Sequence, residues 1–134
     1  MSETRRLSRR CLCGAATYSV DDAFTYAFNC HCADCQRATG SAFKPVAGIP
    51  RAQLTPTADA AFRPYGNSPD ACDMHCATCG SLLWSVVREG GWVHVAMGTL
   101  ADAPTIRPAA HIFVRSKAPW FTITDDLPQH DTWG

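Results

Sequence analysis

Cys76-Ala77-Thr78-Cys79-Gly80 is the stretch on which the fold of this chain turns, because Cys11-Leu12-Cys13-Gly14 answers it far upstream. Two closely spaced cysteines supply half of a tetrahedral thiolate shell, and two such halves close it. The glycine after each pair can take the positive backbone angle of a tight knuckle, which aims backbone N–H groups at the sulfurs and offsets their charge. Joined through one ion, the halves would tie the first strand to the middle of the chain and add stability to a modest core. Soft thiolates suit zinc, copper(I) or iron–sulfur clusters, and four sulfurs in a tetrahedron point to zinc.

Between the halves lies Cys30-His31-Cys32-Ala33-Asp34-Cys35. Three sulfurs within six residues leave one coordination position open, and an open position can do chemistry. Three thiolates on one zinc carry a formal charge of about −1, which weakens the ion as a Lewis acid and argues against a zinc-hydroxide hydrolase. Such a centre favours a fourth sulfur, lowering the pKa of an incoming thiol. The alternative is a closed second site with His31 or Cys72 as fourth ligand. His31, fixed between two ligands, is the weaker candidate of the two.

A disulfide framework would also use eight cysteines. The start Met-Ser-Glu-Thr-Arg-Arg-Leu has no apolar core for a signal peptide, so a reducing, cytoplasmic location is expected and the thiols should stay free. A thioredoxin-like motif would need strands alternating with long helices, and none is indicated.

With 134 residues, 46% hydrophobic, the chain is expected to form a single domain, 1–134, and no apolar run is long enough to span a membrane. The formal charge is zero, and two zinc ions with seven thiolates would carry it to about −3, so neither nucleic acid nor an anionic membrane is an expected partner. Residues 1–9 read as a flexible N-terminal arm, with Arg5, Arg6, Arg9 and Arg10 solvated.

Strand patterns dominate the rest. Ala15–Val20 and Phe24–Phe28 alternate about Asp21-Asp22 and read as a hairpin. Ala33–Thr39 reads as a short helix capped by Gly40, able to aim N–H groups at the three-cysteine cluster. Further strands are expected at Phe43–Ile49, Ala60–Tyr65, Ser81–Val87 and Trp92–Met97, the last two joined through Arg88-Glu89-Gly90-Gly91. A final pair is expected at His111–Val114 and Trp120–Ile123. Trp84, Trp92 and Trp120 read as core, His111 as a satisfied buried histidine, and Arg37, Lys44 and His94 as polar residues that could meet a carboxylate.

The ordered motifs Cys-x-Cys-Gly, Cys-His-Cys-x-x-Cys-Gln-Arg-Ala-Thr-Gly-Ser-Ala-Phe and His-Cys-x-x-Cys-Gly-Ser, with Gly98-Thr99-Leu100, His111-Ile112 and Ala118-Pro119-Trp120, resemble the glutathione-dependent formaldehyde-activating family. That family also includes the centromere protein V domain. The resemblance runs from about Cys11 to Leu127. It implies a mainly β, β-tent fold of stacked antiparallel sheets with two zinc ions: a structural one on Cys11, Cys13, Cys76 and Cys79, and a catalytic-type one on Cys30, Cys32 and Cys35. It further implies a carbon–sulfur lyase type of enzyme that joins glutathione, or another small thiol, to formaldehyde or a related electrophile. A non-catalytic zinc module for interaction or metal handling is the other reading; the open cluster favours the enzyme.

Overall fold

A computed structural model describes residues 5–58 and 61–133. In chain order the elements are β1 (Arg6–Arg10), β2 (Thr17–Asp21), β3 (Tyr26–Cys30), α1 (Ala33–Thr39), β4 (Lys44–Pro50), β5 (Leu54–Pro56), β6 (Phe62–Ser68), β7 (Ala71–Cys76), β8 (Leu82–Val87), β9 (Trp92–Ala96) and β10 (His111–Ile112). Two sheets result: a three-stranded one ordered β1-β2-β5, and a seven-stranded one ordered β10-β3-β4-β9-β8-β7-β6. Every pairing is antiparallel except β10 with β3, which is parallel.

Period-two alternation decides which faces meet. Tyr18 and Val20 of β2, Leu7 of β1 and Leu54 of β5 pack onto Ile49, Leu83, Trp84, Val86, Val93 and Val95 of the larger sheet. Tyr18 meets Trp84 edge-on at 4.8 Å. Each fully buried aliphatic side chain contributes about 1.5–3 kcal/mol, so this seam holds the sheets face to face. The molecule is mainly β with stacked sheets, the architecture the family resemblance implies.

The β8–β9 pairing and the Ala33–Thr39 helix match the sequence reading; Gly40 caps the helix at φ 64°, donating its N–H to Gln36 O at 2.8 Å. Four expectations need correction. The basic run is not a free arm, since residues 6–10 form β1 and Arg9 is buried with its guanidinium over the Tyr18 ring. Residues 1–4 lie outside the described residues. β2 and β3 are not a hairpin either: β1 and β5 flank β2, β4 and β10 flank β3, and the chain changes sheet between them. The Asp22 carboxylate, expected in the turn, instead accepts from Arg5 and from the Thr105 hydroxyl and N–H. The strand expected from Ala60 is described only from Phe62, Ala60 itself lying outside the described residues. Finally, no strand forms at Trp120–Ile123, and Trp120 is exposed. Residues 128–132 run along β10 instead, with His111 N–H donating to Pro128 O, His130 N–H to His111 O and Phe113 N–H to Thr132 O.

Candidate metal centres

The first cluster is built by two glycine-closed knuckles, one residue different in length. Cys11 opens the turn after β1, Cys76 ends β7, and each pair closes on a glycine with positive φ, Gly14 at 84° and Gly80 at 80°. Gly14 N–H donates to Cys11 O, and Gly80 N–H to Cys76 O. That geometry frees other N–H groups for sulfur: Ala16 to Cys11 at 3.3 Å, Ala15 to Cys13 at 3.5 Å, and Thr78 and Cys79 to Cys76 at 3.4 Å. The Cys79 thiol is held down at about 5 by the Ser81 hydroxyl and N–H. Sγ atoms of Cys11, Cys13, Cys76 and Cys79 all lie within 4.8 Å of one another, spacing that can hold a metal ion.

The second cluster, Cys30, Cys32 and Cys35, meets the same distance criterion. Cys30 is the last residue of β3, Cys32 caps α1, and the Cys35 N–H donates to Cys32 Sγ at 3.2 Å. The Gln36 side chain donates to His31 O and Ser116 O, fastening the helix to both neighbouring segments. Neither alternative fourth ligand joins this cluster. Cys72 lies beside Pro69 O, and His31 turns away, its Nε2 2.8 Å from His111 Nδ1. His111 Nε2 lies 3.0 Å from Asp125, so the consistent tautomers run His31 Nε2–H to His111 Nδ1 and His111 Nε2–H to the carboxylate. His111 is thus a satisfied buried histidine that ties the segment after β10 to the cysteine loop.

A cavity of about 470 Å³ is lined by all three cysteines of the second cluster, whereas of the first cluster only Cys76 and Cys79 border a groove, of about 1020 Å³. Cys30, Cys32 and Cys35 line the smaller cavity together with Lys44, Asp73, Ser85 and His94. Lys44 is buried opposite Cys30 in the β3–β4 register. Its Nζ donates to Ser85 Oγ at 2.9 Å, and Ser85 donates to Asp73 Oδ1 at 2.6 Å, a polar chain across the large sheet. The Cys35 thiol, the Cys32 backbone N–H and the Lys44 charge hold the Cys30 thiol at about 6 against its burial. Burial, with Lys44 and Arg88 adding to it, pushes His94 down to about 4, so its imidazole is neutral at pH 7.

Sequence reasoning reached Lys44 and His94 only as general polar residues and passed over Ser85 and Asp73. The available signal was a lone polar residue inside an apolar strand: Ser85 interrupts Leu82-Leu83-Trp84-Ser85-Val86-Val87. Arg37 lies outside this cavity, lining a groove of about 1020 Å³ with Arg63 and Cys76–Gly80. Trp84 is core as expected, whereas Trp92 is half-buried and stacks on Tyr26.

The family model described as glutathione-dependent formaldehyde-activating enzyme matches residues 6–116, a span holding all seven clustered cysteines. The chain belongs to that family. No curated protein matches the sequence significantly. Among solved structures, a crystal structure of a Rhodobacter sphaeroides protein is similar at 22% identity and a TM-score of 0.59, covering 74% of this chain and 92% of that one. That likeness bears on the fold alone. The segment after Ser116 lies beyond the matched residues, and it contributes Asp125 and the chain that runs along β10. Among the described residues no helix is long and apolar enough to cross a membrane.

Proposed function

We propose that this family member is a single-domain, two-zinc enzyme of the carbon–sulfur lyase type, which binds a small thiol such as glutathione and adds it to an aldehyde or releases it from the adduct. The observation that carries this reading is that all three thiols of the three-cysteine set line one cavity together with the buried Lys44. The donor sets fit zinc: both are all sulfur, soft, and close enough for a tetrahedron. Cys11, Cys13, Cys76 and Cys79 would hold a structural ion, and Cys30, Cys32 and Cys35 a catalytic-type ion. Bound there, zinc supplies a soft acid that accepts a fourth sulfur and brings an incoming thiol to its thiolate at neutral pH.

The protein's own groups then handle the oxygen. As the carbon–sulfur bond forms, the carbonyl π pair moves to oxygen, and the Lys44 ammonium offers that oxygen a hydrogen bond from a position fixed by Ser85 and Asp73. The proton released when the thiol ionised ends on the oxygen, giving the S-hydroxyalkyl adduct; release is the reverse. Asp34 and Asp73 border both the cavity and the Arg37–Arg63 groove, so a peptide thiol with its sulfur at the cluster can extend its carboxylates toward those arginines.

The test is optical. With cobalt in place of zinc, glutathione should strengthen the sulfur-to-metal charge-transfer band as three sulfurs become four, and formaldehyde should partly reverse the gain. A spectrum indifferent to glutathione and other small thiols, in protein holding both metals, would leave a non-catalytic zinc module as the better reading.

A further inference from the structure

A second cavity, of about 610 Å³, adjoins the cysteine-lined one and shares Phe28, Val87, His94 and Trp133 with it. Its remaining walls are Tyr26 and Arg88. The Tyr26 and Phe28 rings stack on one another, 5.5 Å apart and within 7° of parallel, and His94 stands edge-on to both. Gly48 permits this platform, since a Cβ there would overlap the Tyr26 ring. Tyr26 Oη and His94 Nε2 satisfy each other at 2.6 Å, so neither of these two atoms needs a partner from the cavity. Trp133 forms the outer wall, edge-on to Phe28 and Phe113, yet 65% exposed.

Two independent observations mark this place as built for a ligand. Among the described residues, the non-glycine positions with left-handed backbone are Arg88, Glu89 and Phe113, at φ 52°, 59° and 56°. Arg88 and Phe113 line these two cavities and Glu89 is the next residue along. For side chains of this size the conformation is strained, and such strain concentrates at ligand sites. Arg88 uses it to lay its guanidinium over Tyr26 and Trp92, at 5.3 and 4.8 Å. The second observation is that Trp133 comes from the segment beyond the family match and is delivered by the backbone bonds that run residues 128–132 along β10.

We propose that this cleft seats the aryl group of the electrophile, so that the chain acts on small aromatic aldehydes in preference to formaldehyde. The assignment rests on the thiol-addition reading. A flat ring in this cavity packs against Phe28 and covers the exposed Trp133 face, which places its carbonyl carbon toward the adjoining cysteine-lined cavity. The step is the one already described: the carbon–sulfur bond forms, the carbonyl pair moves to oxygen, and the thiol's proton completes a hydroxybenzyl thioether.

Benzyl alcohol serves as an unreactive stand-in for the aldehyde and 1-butanol as the non-aromatic control, each titrated into zinc-loaded protein and followed by amide and indole NMR. Benzyl alcohol should shift the Trp133 indole N–H and the Phe113 amide saturably, with a Kd at least tenfold below that of 1-butanol, in wild type and in Cys35→Ser alike. Trp133→Ala, followed at Phe113, should weaken it at least tenfold. Equal affinity for the two alcohols, or undiminished binding to Trp133→Ala, overturns the aryl site. In parallel, glutathione with benzaldehyde should form adduct at a higher kcat/KM than glutathione with formaldehyde. If benzyl alcohol binds as expected and neither aldehyde yields an adduct, the lyase reading falls and the aryl site stands; adduct formation with formaldehyde but no aryl preference removes the aryl site alone.

Discussion

The two thiol clusters use the same ligand atoms and differ in what surrounds them. The four-thiol cluster draws its halves from turns 63 positions apart, and knuckle N–H groups reach three of its four sulfurs. It joins the edge of the small sheet to β7 of the large one, and only its Cys76 and Cys79 half borders a groove, whereas all three thiols of the second cluster line one cavity. The three-thiol cluster spans six consecutive residues already held by β3, β4, β10 and the Gln36 bonds, so a metal there crosslinks little that is not crosslinked otherwise. The difference teaches where free energy and where chemistry should reside. On the proposed reading, one ion would close a long loop and support folding; the other would have a cavity, a cation and a free coordination position.

The largest expected effect follows from the first cluster. Replacing Cys79 by serine should abolish the cooperative thermal melt at 25 °C and above and lower the zinc content from two ions toward one, because structural zinc supplies on the order of 10 kcal/mol in small domains. A Cys79→Ser protein that melts within a few degrees of wild type would break the comparison at its stronger end. Cys35→Ser should do the reverse, keeping a native-like melt while lowering glutathione–aldehyde adduct formation at least a hundredfold. Equal unfolding of the two variants would show that both ions are structural.

The asymmetry between the clusters also governs what could be read from sequence. Both cysteine sets, the helix after the second and the glycine angles were legible because each is encoded within a few adjacent residues. Lys44, Ser85 and Asp73 were not, since they stand on three different strands and meet only once the large sheet has assembled. Strand β1 escaped notice for a local reason: its inward positions are Leu7 and Arg9, and a charged residue at an inward position masks the alternation. The hairpin misreading had the same origin, because the absent β1 occupies the place beside β2 that β3 was expected to fill.

Lys44 gives an intermediate test that separates binding from chemistry. Lys44→Met removes the ammonium that would meet the developing oxyanion, so kcat should fall about 10²–10³-fold, the usual cost of losing one such donor. The glutathione-dependent cobalt band should persist, because the three sulfurs are untouched. Loss of the band along with the rate would instead make Lys44 a determinant of thiol binding.

The smallest effect sharpens the comparison from the far side of the small sheet, away from any metal. Asp22 is another point at which this sheet is tied down: its carboxylate accepts from Arg5 at 3.0 Å and from the Thr105 hydroxyl and N–H at 2.7 and 3.0 Å. Burial pushes its pKa up, but the Thr105 hydroxyl and N–H, followed by Arg5, more than offset this, and the carboxyl sits below its ordinary value. A depressed carboxylate stabilises the fold fully above the unfolded value of about 3.9, and that stabilisation is lost as pH falls from there through the lower folded value. Asp22→Asn should therefore cost about 1 kcal/mol at pH 7, Arg5 being largely solvent-screened, and the difference from wild type should shrink below about pH 3.9. Denaturant melts of zinc-loaded protein at pH 7 measure the first quantity, and acid titration of both proteins under matched metal content measures the second. An Asp22→Asn loss as large as that of Cys79→Ser would mean that the small sheet depends on its polar clasp as much as on its ion, and the division of labour drawn from the two clusters would no longer hold.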